Sequence, residues 1–165
     1  MRTLLLMRHA KSGWDDSGLR DHDRPLNARG ESAAPRMGRL LAELGRVPDR
    51  VLCSTAVRAR RSAELLVEAA GIAIARLHLL EDLYLAPPSV ILEAVARRGG
   101  DAATLLVVGH NPGIEELVAS LARHPEACPT ATIAAFRLGI DEWQEAMLDM
   151  EAEELGIWRP KELEP

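Results

Sequence analysis

Residues 4–12 read LLLMRHAKS, an apolar run that leads directly into an arginine and a histidine, Arg8 and His9. A second apolar run, residues 104–108, ends in a glycine that is followed by His110. Short, uninterrupted apolar runs are typical of strands that are buried on both faces of a parallel sheet. Because the carboxyl ends of parallel strands meet at the edge where open α/β sheets bind ligands, the pattern predicts that both histidines line one site.

Length and composition fit one α/β domain. The chain has 165 residues, of which 47% are hydrophobic and only 3% aromatic, so its core is expected to consist of Leu, Val, Ile and Ala side chains. A chain of this length buries a core without disulfides or metals. We therefore expect residues 1–165 to form a single domain in which helices cover a sheet.

Alternation of short apolar runs with helical periodicity predicts βαβ units. The strand candidates are residues 2–7, 50–53, 74–79, 104–108 and 131–138. The helix candidates are residues 30–44, residues 56–70, a segment from Pro88 to Gly99, and a segment capped by Asn111 with Pro112 in its first turn. The predicted fold class is α/β, a single three-layer α/β/α domain with a mostly parallel central sheet.

Two segments do not fit this alternation. Residues 8–28 are polar and have no periodicity, and a loop of that length in a compact domain is typical of a functional segment. The tail from Asp141 onward is acidic and partly helical in pattern. We expect this tail to be a solvated closing segment; the alternative is that Trp143, Met147 and Met150 dock one face of it.

Charge and cysteine patterns exclude several classes of partner. The net charge is −5 and the basic residues are dispersed between acidic ones, so nucleic acid is not expected as a partner. No segment reaches about 18 consecutive apolar residues, so no membrane span or membrane partner is predicted. Cys53 and Cys128 lack CxxC spacing, which predicts two free thiols and a cytoplasmic location.

An ordered set of motifs resembles the histidine phosphatase superfamily and, within it, the short SixA-type phosphohistidine phosphatases. The motifs are residues 7–12 (MRHAKS), residues 21–30 (DHDRPLNARG), Ser54 with Arg58, Glu81 with Tyr84, and residues 109–112 (GHNP). The superfamily frequently has glycine after the nucleophile, whereas Ala10 and then Lys11 stand here, as in the compact branch. Asp15 occupies the position of a loop asparagine in larger relatives and is expected to face solvent, since it would repel a phosphate.

The resemblance implies a phosphoglycerate-mutase-like fold and a reaction that needs no metal or other cofactor. His9 would attack phosphorus in line and form a phosphohistidine that water later hydrolyses. Arg8 and Arg58 would grip phosphate oxygens with their planar guanidinium groups, and His110 would be a further donor. Because His9 must be neutral to attack, like-charge repulsion from the two arginines favours its nucleophilic form.

The remaining motif positions suggest supporting roles. Ser12 and Asn111 are expected to border the phosphate, the latter at a helix N-terminus whose free N–H groups favour anions. Ser54 either borders the site or caps a helix. For the general acid, Glu81 is the first candidate on motif position and Asp21 is the second.

The expected substrate is phosphohistidine on a protein, such as a phosphotransfer domain or a phosphocarrier. Only about 20 residues separate Glu81 from the strand at Thr104, which leaves little material for a lid and predicts an open pocket. The alternative within the same superfamily is a small-molecule phosphomonoesterase. Mutase activity is less compatible with so short a chain.

Two further classes of function are disfavoured. A metal-binding module has conceivable ligands, which are His9, His22, His110 and Asp21. The neighbouring arginines would repel a divalent cation, however, and no His-x-x-x-His or Cys-rich spacing is present. A non-catalytic phosphoprotein-binding domain would not need a histidine nucleophile.

Overall fold

A central sheet organises the molecule. The computed structural model describes residues 1–14 and 16–163, and its strands in chain order are β1 (Arg2–Arg8), β2 (Arg50–Ser54), β3 (Leu77–Leu80), β4 (Thr104–Gly109), β5 (Ile133–Leu138) and β6 (Ala152–Trp158). They lie side by side in the order β3-β2-β4-β1-β5-β6. The pairs among the first four of these are parallel, whereas β5 is antiparallel to both of its neighbours. The prediction of a mostly parallel sheet is confirmed.

Helices cover both faces of the sheet in the described part of the chain. They are α1 (Ala28–Glu43), α2 (Val57–Ala69), α3 (Pro88–Arg98) and α4 (Gly113–Ala122). One core joins α1 and α2 to the sheet, and a second core joins α3 and α4 to its opposite face. The three-layer α/β/α arrangement is therefore confirmed. None of these helices combines the length and the apolar character that a membrane crossing requires.

The apolar side chains of β1 pack into both cores. Leu4 and Leu6 pack on the α3 and α4 side, whereas Leu5 and Met7 pack on the α1 and α2 side. All four side chains are fully buried. Because successive side chains of a strand point to opposite faces, a strand covered on both sides must be apolar at every position. This requirement explains why the run shows no alternation.

Two glycines let helices begin close to the loops at the carboxyl edge of the sheet. A Cβ at Gly30, in the first turn of α1, would lie 2.2 Å from the Lys11 carbonyl oxygen. A Cβ at Gly113, the first residue of α4, would lie 1.8 Å from the Ala86 carbonyl oxygen. Any larger residue at either position would push the helix away from these loops.

The closing segment differs from the prediction. Instead of a solvated tail, residues 152–158 form β6 at the edge of the sheet, and Trp143 is fully buried with its indole N–H donating to the Ala102 carbonyl oxygen at 2.8 Å. Charged side chains are common on edge strands because they discourage further pairing, and here they concealed the strand pattern. Residues 74–76 of the third strand candidate form a 3-10 turn instead. The expected exposure of Asp15 concerns a residue outside the described ranges.

Candidate active site

The carboxyl ends of the parallel strands bring the predicted residues to one edge of the sheet. In the register of β1 with β4, Arg8 pairs with Gly109. The next residues, His9 and His110, therefore leave the sheet side by side, and their ring centroids are 5.1 Å apart. Helix α2 follows the neighbouring strand β2 and presents Arg58 from its first turn.

Hydrogen bonding fixes the tautomer of His9, which is only 6% exposed. Its Nδ1 lies 2.7 Å from the Ala10 carbonyl oxygen. A carbonyl oxygen can only accept, so Nδ1 carries the proton and the lone pair of the neutral ring is on Nε2. Burial, together with the charges of Arg58, Arg8 and Arg24, lowers the pKa of His9 to about 4. The ring is therefore neutral at pH 7, with Nε2 able to act as a nucleophile.

Arg58 connects the side chains of the site to one another. It is 3% exposed, and its Nε donates to His9 Nε2 at 3.3 Å. Its Nη1 donates to the Asp21 backbone oxygen at 2.7 Å, and its Nη2 donates to Asp21 Oδ2 at 3.0 Å. The Nη2 group also lies 3.4 Å from His110 Nδ1. A planar group with this many donors fixes the geometry of both histidines at once.

His110 is held between Arg58 and Ser54. Its Nε2 lies 2.8 Å from Ser54 Oγ, which also accepts from the Ala56 backbone N–H at 3.2 Å. Ser54 thus both borders the site and stabilises the turn that leads into α2. Burial first, then His9 and Arg58, lowers the pKa of His110 to about 3, so this ring is also neutral. Because the Arg58 guanidinium can only donate, His110 Nδ1 accepts from its Nη2, and His110 Nε2 carries the proton and donates to Ser54 Oγ.

Arg8 lines the same cavity, and one of its donors has no partner in the described part of the chain. Its Nη1 donates to the Cys128 carbonyl oxygen at 3.2 Å, whereas its buried Nε has no hydrogen-bond partner among the described residues. Burial lowers the pKa of Arg8 from its ordinary value. A buried charged donor without an acceptor costs free energy, and an anion bound beside it would remove that cost.

A cavity of about 250 Å³ joins these groups. Its lining residues are Arg8, His9, Lys11, Ser12, Trp14, Arg24, Arg58, Leu85, His110, Asn111 and Thr130. Four of them are cationic, and no carboxylate from the described part of the chain lines the cavity. The volume is smaller than that of most small-molecule sites, and the charge suits a phosphoryl group. Nowhere in the described ranges do three or more His, Cys, Asp or Glu side chains group closely enough to hold a metal ion.

The two candidate acids lie in different surroundings, and of the two only Asp21 contacts the other groups of the site. Glu81 is exposed in a 3-10 turn and does not line the cavity. Asp21 instead accepts hydrogen bonds from Tyr84 and Arg58 through Oδ2, and from Arg24 through Oδ1 at 3.1 Å. The Tyr84 hydroxyl first, then the two arginines, lowers the pKa of Asp21 to about 2. Asp21 is therefore ionised and orients Arg58.

Asn111 lies in the cavity wall, but not as the predicted helix cap. The residue at the N-cap of α4 is Pro112, which supplies no side-chain cap. Asn111 Nδ2 instead donates to the Cys128 carbonyl oxygen at 3.0 Å and to Glu115 Oε2 at 3.2 Å. Because both contacts use the amide nitrogen, Asn111 braces the loop that also binds Arg8. Ser12 lines the cavity as predicted, and it forms an isolated bridge with Leu26.

Sequence reasoning missed several residues of the cavity. Arg24 is 7% exposed, and its guanidinium carbon lies 3.4 Å from the centroid of the Trp14 ring. Lys11 and Thr130 also line the cavity. The sequence did contain a signal for Trp14 and Arg24. A single tryptophan in a polar loop is unusual in a chain with few aromatic residues.

Comparison with known proteins gives one family. The model of the histidine phosphatase superfamily (branch 1) matches residues 4–85. An uncharacterized protein of Mycobacterium tuberculosis is 43% identical over an alignment of 145 residues that covers 80% of this chain and 87% of that one. An uncharacterized chloroplastic protein of Arabidopsis thaliana is 32% identical over 153 residues, with coverage of 88% and 70%.

Solved structures show the same fold over nearly the full chain. A proposed phosphohistidine phosphatase SixA from Nakamurella multipartitia is 35% identical, with a TM-score of 0.76 and coverage of 96% of both chains. A protein histidine phosphatase SixA in complex with tungstate has a TM-score of 0.80 at 24% identity, and coverage is 98% of this chain and 99% of that one. The second likeness concerns the fold alone.

Proposed function

Because this chain belongs to the histidine phosphatase superfamily, we propose that its cavity removes the phosphoryl group from phosphohistidine on a protein. The observation that carries the proposal is the contact of His9 Nε2 with Arg58 Nε in a cavity that Arg8 also lines. A neutral nucleophile and two guanidinium groups meet in a cavity of phosphoryl size. This arrangement suits phosphoryl transfer, in which positioning and charge stabilisation supply most of the catalysis.

The reaction takes two steps. In the first, His9 Nε2 forms a bond to phosphorus while the bond from phosphorus to the substrate imidazole breaks, and the leaving imidazole departs with the proton that it holds on its ring. In the second, water attacks phosphorus, the bond to Nε2 breaks, and inorganic phosphate leaves. Arg8, Arg58 and the other cavity cations stabilise the charge on the phosphoryl oxygens in both steps.

An ionised Asp21 is compatible with this substrate. A protonated imidazole is already a good leaving group, so the first step does not need a carboxylic acid with a raised pKa. The alkoxide of a sugar or glycerate phosphate does need such an acid. The low pKa of Asp21, about 2, therefore supports phosphohistidine over an alkyl phosphomonoester.

The mouth of the cavity supports a protein substrate. Trp14 is 73% exposed and Leu85 is 52% exposed, and both line the cavity. Exposed apolar residues around a polar pocket are typical of a surface that another protein covers. Such a partner is a phosphotransfer domain or a phosphocarrier. Buried, free thiols at Cys53 and Cys128 support a reducing cytoplasm as the setting.

The test compares substrates without added metal and with a chelator present. We expect kcat/KM for a phosphocarrier protein, phosphorylated on histidine with phosphoramidate, to exceed that for sugar, glycerate and nucleotide phosphates by at least about tenfold, or 1.4 kcal/mol. Tungstate should inhibit competitively. One small phosphomonoester hydrolysed better than every phosphohistidine protein would overturn the proposal in favour of a small-molecule phosphomonoesterase.

A further inference from the structure

A second cavity adjoins the catalytic one, and its charged lining residues in the described ranges are all cationic. It has a volume of about 640 Å³ and lies between the first turns of α1, the loop before β5 and the 3-10 turn Pro160–Glu162. Arg8, Lys11 and Thr130 line both cavities. We call the second cavity the basic groove; its charged lining residues among those described are Arg8, Lys11, Arg29, Arg36 and Lys161.

Two carboxylates near the groove are paired with arginines that do not line it. Glu31, close to its lining residues in α1, forms an ion pair with Arg61 at 3.1 Å. Glu162, next to Lys161, lies 3.6 Å from Arg159. No Asp or Glu side chain in the described ranges lines the groove. Lys11, Arg29 and Lys161 form no ion pair within the described ranges, so these three give the groove a local positive field, although the chain as a whole carries a net charge of −5.

The cations of the groove are placed to meet a partner. Lys11, Arg29 and Lys161 are exposed. Arg36 donates from Nη1 to the Pro160 carbonyl oxygen at 3.3 Å and so holds the 3-10 turn against α1. The groove thus combines a fixed wall with exposed charged side chains, which suits recognition of carboxylates on a partner.

We propose that the basic groove binds an acidic segment of the protein substrate, next to its phosphorylated histidine. This inference rests on the proposed function. Arg8, Lys11 and Thr130 line both cavities, so residues next to a phosphohistidine bound in the catalytic cavity would lie within reach of the groove. Charge complementarity of this kind increases association rates and fixes the orientation of the partner.

A protein segment fits the surroundings better than a small polyanion does. The groove is more than twice the volume of the catalytic cavity, and the two share Arg8, Lys11 and Thr130 in their walls. A partner that filled both would also cover the exposed ring of Trp14, which a small anion confined to the groove would leave in water. Tryptophan and arginine are the residue types that most often anchor protein interfaces.

Synthetic peptides test the groove directly. Each carries a central phosphohistidine, flanked on both sides by three glutamates in one peptide and by three glutamines in the other. We expect the wild-type protein to hydrolyse the glutamate peptide with a kcat/KM at least tenfold higher. The preference should shrink between 50 and 500 mM NaCl, because exposed charges are screened.

Two double variants with the same change in net charge locate the effect. R29E/K161E alters residues that line the groove but not the catalytic cavity. The control R46E/R76E alters residues that precede β2 and β3, at the edge of the sheet opposite the active site. The groove variant should lose the preference for the glutamate peptide, whereas the control should keep it. Both should hydrolyse a small aryl phosphate at the wild-type rate, which checks that the catalytic cavity is intact.

The outcomes separate this inference from the proposed function. If the wild-type protein hydrolyses both peptides equally, or if both double variants lose the preference alike, the groove does not bind an acidic segment and the proposed function stands. If the wild-type protein hydrolyses the aryl phosphate but neither the peptides nor the phosphocarrier protein, the proposed function is wrong, and the inference that rests on it is overturned as well.

Discussion

The catalytic cavity and the basic groove share a wall, but the functional side chains of the cavity are buried, whereas those of the groove are exposed to solvent. In the cavity, His9, Arg58 and His110 are at most 6% exposed and contact one another. In the groove, Arg29 and Lys161 are exposed. Buried charges interact strongly and over short distances, whereas exposed charges are screened by salt. The cavity should therefore determine kcat, and the groove should determine association and its salt dependence.

Loss of the nucleophile gives the largest expected effect. We expect His9→Ala to abolish turnover, by about 10⁴-fold or more, because water in the cavity cannot replace a positioned nitrogen nucleophile. The wild-type protein should trap an acid-labile phosphoryl group on His9 after rapid quenching, and the variant should trap none. A matching circular dichroism spectrum shows that the variant is folded. Full activity in a folded variant contradicts the covalent mechanism.

The second effect concerns the central guanidinium. Arg58→Ala should lower kcat/KM by about 10²- to 10⁴-fold, because a buried charged donor that faces the transition state is lost. Arg58→Lys should recover little, since one ammonium cannot contact His9, Asp21 and His110 in the same plane. Steady-state kinetics and tungstate affinity measure both variants, and Arg76→Ala is the control at the opposite edge of the sheet. Substantial activity in Arg58→Lys contradicts the role of the planar fork.

The third effect is about thirtyfold and concerns the fraction of His9 that is neutral at pH 5. An ordinary histidine would be about 3% neutral at pH 5, whereas a pKa of about 4 leaves the His9 ring about 90% neutral at that pH. The nucleophile should therefore be lost only as the pH falls through about 4. Nitrogen-15 NMR of the ligand-free protein measures this titration without interference from substrate ionisation. A His9 midpoint near 6.5 contradicts the effect of burial.

Folding stability should follow the same titration. The unfolded chain binds a proton on His9 below about pH 6.5, whereas the folded protein does so only near pH 4. Since the unfolded state binds more protons in this window, the contribution of His9 to the free energy of unfolding falls as the pH falls from 6.5 to 4. Urea unfolding of the wild-type protein and His9→Ala at pH 7 and pH 5 should show a smaller pH dependence in the variant.

The loss of rate on removing the charge of Asp21 should exceed that for Glu81, by up to about tenfold. Asp21→Asn removes a charged acceptor of Arg58 and Arg24 and should lower kcat about tenfold, because the guanidinium group loses its orientation. Glu81→Gln alters an exposed side chain outside the cavity and should change the rate less than about twofold. Both rates are measured on phosphohistidine and on an aryl phosphate. A larger loss of rate in Glu81→Gln than in Asp21→Asn would instead support Glu81 as the general acid.

The sequence predicted the buried part of the site because that part depends on strand ends. Uninterrupted apolar runs locate β1 and β4, and their parallel pairing places His9 beside His110. It did not predict which carboxylate reaches the site, since motif order cannot show that Tyr84 bonds to Asp21. Nor did it predict the groove, because Arg29 and Lys161 come from opposite ends of the chain.

The closing strand shows a second limit. Glu153 and Glu154 lie on β6 at the edge of the sheet, where they pair with Arg137 and His124. In the sequence, these charges indicate a solvated tail. The backbone hydrogen bonds between β5 and β6 determine the structure of this segment. The sequence of residues 152–158 alone cannot show that β5 lies beside it.

The smallest predicted effect concerns Ser54, which does not line the cavity and acts on it through His110. Ser54→Ala removes the hydroxyl that holds His110 Nε2 and should lower kcat about threefold to tenfold with little change in KM, because His110 then no longer holds one tautomer. Ser54→Thr keeps the hydroxyl and should recover most of the rate. A purely structural role in the turn before α2 would lower the melting temperature instead and leave the nitrogen-15 shifts of His110 unchanged. A change in those shifts together with kcat indicates that Ser54 acts by positioning His110, whereas unchanged shifts confine Ser54 to the turn.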